Sequence, residues 1–261
     1  MLGQNHLFQA YIGIDYSGAK TAVTRLKGLR VFKATHEDGP TRVVPPAGEN
    51  RNWTRKEVAC WCLDQLKKDA PVIIGIDHGF SFPQSYMESY GIENWDQFLD
   101  DFQRHWPTDQ DESSVEALRM GNKRTGTHTE FRLSENWTPS VQSVFKLDGA
   151  GTVGKSTHCG IPWLRYIRRN IDSTKKPHFW PFDGFEIPPN RSVVTEIFPS
   201  LFRKRYSRRR NYTADDHDAM SVARWLKDMD DRHCLESYFN PPLTAKEKAA
   251  ARLEGWILGV Y

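Results

Sequence analysis

Two very similar apolar runs mark the chain: residues 11–15 (YIGID) and 72–77 (VIIGID), each ending in a carboxylate. After the first come SGAK, then residues 21–27 (TAVTRLK), which alternate and are rich in Thr and Val, then Gly28 and LRVFKAT. This pattern predicts three successive strands joined by tight turns at residues 17–18 and 27–28. Residues 38–53 carry Gly39, Pro40, Pro45, Pro46, Gly48 and Asn50 and predict a loop. Thr54 then opens a helix, TRKEVACWCLDQLKKD. Glu57 completes a capping box with Thr54, and Val58, Cys62, Leu63 and Leu66 recur at helical spacing. Pro71 ends that helix. The uninterrupted apolar run VIIGID is what a strand buried on both faces looks like.

The middle of the chain is less periodic. NWDQFLDDFQRHW predicts a helix closed by Pro107, and SSVEALRM a shorter one. Residues 121–143 are rich in Gly, Thr, Ser and Asn, and CGIPWLRYIRRNI predicts a helix with Pro162 near its first turn. Residues 173–192 hold four prolines and predict a connector. SVVTEIF then reads as a buried strand carrying Glu196, followed by the basic segment LFRKRYSRRRNY. A second capping signal, Thr213 with Asp216, opens the helix DDHDAMSVARWLKDMDD, whose buried stripe is Ala219, Val222, Ala223 and Leu226. A helix over 244–254 and an apolar tail, WILGVY, close the chain. The expected architecture is a single α/β domain over 1–261, with 84–190 a partly helical insertion. An antiparallel meander is followed by a helical crossover that brings the next strand in parallel. Strand-end carboxylates then gather where open α/β sheets build their sites.

Composition narrows this picture only slightly. A chain of 261 residues can bury one substantial core. Hydrophobic residues are 38%, but nine Trp help fill that core. The net charge of +3 does not by itself point to any partner, so a case for nucleic acid must rest on local patches. The spacing of Cys60 and Cys62 is too short for a zinc knuckle, and reduced thiols are expected for Cys60, Cys62, Cys159 and Cys234. The N-terminus lacks a basic region followed by a long apolar run, and no stretch approaches the roughly 18 apolar residues that span a bilayer. A soluble, cytoplasmic protein is expected.

The chemistry resides in carboxylates. Asp15, Asp77 and Glu196 each end a very apolar strand, where an uncompensated charge is costly. A divalent cation, Mg²⁺ or Mn²⁺, compensates several carboxylates at once. Two such ions roughly 4 Å apart activate water and stabilise a leaving oxygen at a phosphodiester. Asp218, in the second turn of the following helix, can look back at the strand ends. A lone Asp at a strand end commonly just starts a turn; here the order of the four residues on their elements is the informative signal. His217 and His78 flank two of these carboxylates as proton shuttles, or as exposed or cap-adjacent side chains. Asp215 and Asp216 suit a helix N-terminus, with Asp216 also worth testing for metal binding. Ser17, Gly18 and Lys20 would meet a phosphate, or form a plain turn. Arg203, Lys204, Arg205, Arg208, Arg209 and Arg210, interleaved with Tyr206 and Tyr212, suit a phosphate backbone and stacked bases, or a solvated loop.

GIDYSGAK, VIIGIDHGFSFP, RLSENWTPS, VFKLDGAGTVG with GIPWL, VVTEIFPSL and DDHDAMSVARW resemble, in this order over roughly residues 11–226, a family described as predicted ribonuclease H-like nucleases. The triplet HDA at 217–219 with Ala223 also resembles the last metal-ligand helix of Holliday-junction resolvases and of the related nuclease domain in CRISPR effectors. The resemblance implies a ribonuclease H-like fold with Asp15, Asp77, Glu196 and Asp218 as metal ligands. The expected function is metal-dependent phosphodiester hydrolysis in nucleic acid, against a binding or scaffold protein with a degenerate site. Two further readings involve nucleotides. GAGTVGKS (149–156) matches GxxxxGK[ST], so Lys155 would neutralise a phosphate; yet Cys159, Gly160 and Pro162 argue against a long helix starting at Lys155, and a Gly-rich loop rimming the carboxylate site fits better. GIDYSGAKTAV resembles the first phosphate hairpin of actin-like ATPases and sugar kinases, which need two such cores where this sequence offers one convincing meander.

Overall fold

The computed structural model describes residues 6–49, 51–149 and 152–261; Asn50 of the Pro/Gly-rich loop, and Ala150 and Gly151 of GAGTVGKS, lie outside the described residues. Six strands form one mixed sheet: β1 (Ala10–Asp15), β2 (Arg30–Thr35), β3 (Thr41–Arg42), β4 (Val72–Asp77), β5 (His178–Trp180) and β6 (Val193–Glu196), in the order β3-β2-β1-β4-β6-β5. The β2 strand runs antiparallel to β1 and β3, whereas β1, β4, β6 and β5 are mutually parallel. The helices are α1 (Arg55–Leu66), α2 (Gln84–Ser89), α3 (Trp95–His105), α4 (Val115–Arg119), α5 (Leu133–Asn136), α6 (Val153–Arg169), α7 (Ala214–Asp231), α8 (Leu235–Tyr238) and α9 (Ala245–Glu254). Among the described residues, no helix is long and apolar enough to cross a membrane.

The antiparallel part of the sheet differs from expectation. TAVTRLK is not a strand. Ala22 packs among Ala59 of α1 and Trp163 of α6, Leu26 donates its N–H to Trp53 O at 3.0 Å, and Val23 is exposed. Residues 16–29 therefore form an irregular connection, and the third strand is the two-residue β3 inside the expected loop. The connector 173–192 contributes the edge strand β5, in register with β6 from His178 opposite Val193. The α1 crossover starts as expected: Thr54 Oγ1 accepts from Glu57 N at 3.1 Å, and the Glu57 carboxylate accepts from Thr54 N at 3.0 Å.

Helix α6 also corrects the reading of Pro162, which lies mid-helix in a helix that begins at Val153. Proline cannot donate to the carbonyl four residues back, which would orphan His158 O. The Thr108 hydroxyl replaces the missing donor at 2.6 Å. A contact 50 residues away in sequence thus lets the helix continue.

Alternation assigns the two sheet faces. Ile12, Ile14, Ile74 and Ile76 face the core shared with α1, α3 and α6, while Tyr11 and Ile73 face α7 and the C-terminal tail through Val222, Trp225, Trp256 and Leu258. On the α7 side Gly13 pairs in register with Gly75. A Cβ on Gly13 would sit 2.2 Å from Ala219 O, and one on Gly75 would sit 3.0 Å from Val222 Cγ1. The paired glycines let α7 lie directly on the sheet.

Gly13→Ala is expected to destabilise the fold by about 1–3 kcal/mol through overpacking against helix backbone. Gly28→Ala, where the added carbon meets nothing closer than 3.7 Å, serves as the tolerated control. Equal urea midpoints for the two variants would contradict this packing account.

Candidate functional site

Gly13 and Asp15 are two apart on β1, so both face α7. The same parity holds for Gly75 and Asp77 on β4, and Asp15 pairs in register with Asp77 at the strand ends. Asp15, Asp77, Asp215 and Asp218 line one open cleft of about 830 Å³. Asp215 and Asp218, three residues apart on α7, share a helix face. Asp215 was expected only to serve the helix N-terminus; it does lie in the first turn, and it also lines the cleft. Its three-residue spacing from Asp218 was the available signal.

Asp15, Asp77 and Asp218 are pushed towards their uncharged forms. Burial, followed by the negative charges of Asp77, Asp215 and Asp218, raises the Asp15 pKa well above the usual range, with Arg30 opposing. Burial, then Asp218 and Glu196, pushes Asp77 up to about 8 against the pull of Arg203. Burial raises Asp218, and Arg203 offsets part of that rise through an ion pair at 2.8 Å. His217 is half-buried on the same helix and favours the ionised form of Asp218.

An all-oxygen donor set carrying uncompensated charge fits a hard divalent cation. The side chains are not drawn into a closed cage. Among the described residues, the one trio of ligating atoms within 4.8 Å of each other is His6, His36 and Asp231, not the strand-end carboxylates. That openness suits Mg²⁺, which commonly keeps several waters and takes only one or two carboxylates.

Glu196 departs from its expected role as an open ligand. It is buried, and Arg132 grips both its oxygens, at 2.6 and 2.7 Å. Phe80 N adds a third bond at 3.0 Å, and Arg132 Nε reaches Glu135 at 2.9 Å. This buried charge is already satisfied by protein, and its network ties α5 to β6. It adjoins Asp77 across a side cavity of about 130 Å³.

Asp216 is likewise committed. It completes the capping box with Thr213 and pairs with Arg42 at 2.6 Å and Arg30 at 3.1 Å, so the option of metal binding there is withdrawn. His78 is buried rather than exposed, with Nδ1 2.8 Å from Gly79 O and its ring edge-on to Tyr16; burial pulls its pKa down to about 4.

The cationic residues divide between the rim and the surface. Ser17, Lys20 and Lys155 line the cleft. Loop 17–20 is no tight hairpin: buried Arg55 donates to the carbonyls of Ser17, Ala19 and Lys20 at 3.2, 2.7 and 3.1 Å. Gly18 presses on the start of α6, where a Cβ would meet Lys155 backbone at 2.2 Å. Lys155 is the third residue of α6 and pairs with Glu116 at 2.6 Å. Residues 144–148, VFKLD, are turn and irregular backbone, so the phosphate-loop motif lacks its strand. Arg203 is spent on Asp218, Tyr206 donates to Asp228, and Tyr212 packs edge-on to Phe32. Lys204, Arg205, Arg208, Arg209 and Arg210 are exposed and do not line the cleft. No protein-family model, curated protein or solved structure matches the chain.

A carboxylate whose pKa is higher in the folded than in the unfolded chain stabilises the fold at low pH, and that contribution is lost as pH rises to the folded value. For Asp77 the loss runs from about 4 to about 8. With chelator present, Asp77→Asn is therefore expected to gain melting temperature over the parent as pH rises from 5 to 8, by about 2–4 °C for each kcal/mol of strain relieved. Buried neutral His78 and His158 affect both proteins alike, so the difference reports Asp77 together with its effect on Asp15. A pH-independent difference would contradict the electrostatic account.

Proposed function

We propose that this chain is a divalent-metal-dependent phosphodiesterase acting on nucleic acid, built on a ribonuclease H-like core. The observation that carries the reading is the in-register Asp15–Asp77 pair, faced by Asp218 from α7 and left under-neutralised. The antiparallel β3-β2-β1 ribbon continued by parallel β4 and β6 supports the core assignment.

Asp15 and Asp77 would hold Mg²⁺ or Mn²⁺, with Asp218 and Asp215 completing the negative wall. The bound ion would supply Lewis-acid polarisation of a phosphoryl oxygen and a template for in-line displacement. Lys20 and Lys155 on the rim offer their charge to substrate phosphate, Lys155 by exchanging its partner Glu116. Exposed Arg205, Arg208, Arg209 and Arg210 would track the backbone beyond the cleft by charge and counterion release. Arg203 orients Asp218 rather than meeting substrate, and His217 sits beside that carboxylate as a proton-holding group.

One observation favours the second reading, a nucleic-acid-binding protein with a degenerate site. The ion pair with Arg132 removes Glu196 from the ligand set implied by the resemblance. The two readings separate in a cleavage assay on single- and double-stranded DNA and RNA with Mn²⁺ or Mg²⁺. Cleavage is expected from the parent and should drop to background in Asp15→Asn, with an unchanged circular dichroism spectrum. Full activity in that variant would overturn the site. Binding without cleavage in the parent would favour the second reading.

A further inference from the structure

The two ends of α7 carry different chemistry. At the end away from the cleft, about 24 Å from Asp215 at 1.5 Å per residue, side chains from three distant parts of the chain meet. His6 precedes β1, His36 follows β2, and Asp231 is the last residue of α7. Each brings a ligating atom within 4.8 Å of the other two. His6 Nδ1 lies 3.6 Å, and His36 Nδ1 3.7 Å, from the same Asp231 Oδ1. The His6 and His36 rings lie with centroids 3.7 Å apart, their planes tilted by 30°.

Proton positions follow from the neighbours. His36 Nε2 is 2.5 Å from Phe8 O, and a carbonyl can only accept, so Nε2 carries a proton and, in the neutral ring, Nδ1 keeps its lone pair. Tyr11 Oη lies 3.3 Å from that Nδ1, but its hydroxyl donates to Asp230 Oδ2 at 2.6 Å. His6 Nδ1 is buried with no hydrogen-bond partner. Two imidazole nitrogens and a carboxylate oxygen therefore converge on one point. Imidazoles this close would repel each other if both were protonated, which favours lone pairs over protons at that point.

The surroundings hold the ligands in place. A ring N–H donated to a backbone carbonyl is the usual support of a metal-ligating histidine. Asp230 accepts from Leu7 N and Phe8 N, both at 3.1 Å, fixing the segment that presents His6. Lys227 holds the second Asp231 oxygen at 2.6 Å.

We propose that His6, His36 and Asp231 form a Zn²⁺ site that staples the N-terminal segment to the end of α7. Imidazole nitrogen with carboxylate oxygen selects a borderline transition ion over Mg²⁺. Tetrahedral ligands at Zn²⁺ distances of about 2.0–2.1 Å lie roughly 3.3 Å apart, so the two histidine–Asp231 spacings of 3.6 and 3.7 Å need to close by only a few tenths of an ångström. The fourth position is left to water. The site stands independently of the carboxylate cleft.

The test is calorimetric titration of the full chain, without an affinity tag, with Zn²⁺, alongside Co²⁺ absorption and thermal melts. One equivalent is expected to bind in the micromolar range or tighter. Co²⁺ should give the intense visible bands of four-coordination, and Zn²⁺ should raise the melting temperature. His6→Gln, at the edge of the fold, and His36→Ala should both lose this binding, whereas Asp15→Asn should keep it. Absence of saturable Zn²⁺ binding overturns the proposal. So does binding that survives in a folded His6→Gln variant, or binding lost in Asp15→Asn and kept in His6→Gln, which would assign the ion to the cleft.

Discussion

The close seating of α7 on the paired glycines Gly13 and Gly75 is the constraint from which the rest of the candidate site follows. The parallel pairing of β1 with β4 puts these glycines side by side, and two residues on it puts Asp15 beside Asp77 on the same face. With no side chain at either glycine, the backbone of α7 at Ala219 comes within van der Waals reach of the sheet. The turn just before Ala219 then carries Asp218 and Asp215 to the strand ends. Bulkier residues at the glycine positions would lift the helix and separate the two halves of the cleft.

The chain neutralises its buried acids selectively. Glu196 receives a bidentate arginine, Asp216 receives Arg30 and Arg42, and Asp218 receives Arg203. Asp15 and Asp77, at the centre, are left with burial and like charge dominating. Removing charge from water costs several kcal/mol per ion, and Arg30 and Arg203 only partly offset that cost at Asp15 and Asp77, which have no direct ion pair of their own among the described residues. Strongly perturbed groups in a cleft are the usual mark of a functional site. A bound divalent cation would relieve this cluster, which links the electrostatics of the fold to the proposed chemistry.

Much of this was readable along the chain because the signals are local. The runs YIGID and VIIGID, the capping boxes of Thr54 with Glu57 and Thr213 with Asp216, and the Ala219–Val222–Ala223 stripe each depend on residues within a turn or two of one another. The misreadings have a common cause in distant contacts. TAVTRLK alternates like a strand, yet Ala22 packs on α1 and α6 while Val23 is exposed. Pro162 looks like a helix start, but the Thr108 hydroxyl keeps it inside α6. Glu196 looks like an open ligand until Arg132, 64 residues earlier in the chain, grips it. The His6–His36–Asp231 cluster escapes any spacing rule because its members come from three widely separated stretches of the chain.

The central claim is that Asp15 and Asp77 together hold a divalent cation. Crystals soaked in Mn²⁺ and measured for its anomalous signal test this directly. The account predicts an anomalous peak in the cleft, with oxygens of both Asp15 and Asp77 at about 2.0–2.2 Å, near the distances expected for a hard octahedral ion. A cleft without such a peak at saturating Mn²⁺ and pH above 8, where Asp77 is ionised, would contradict it.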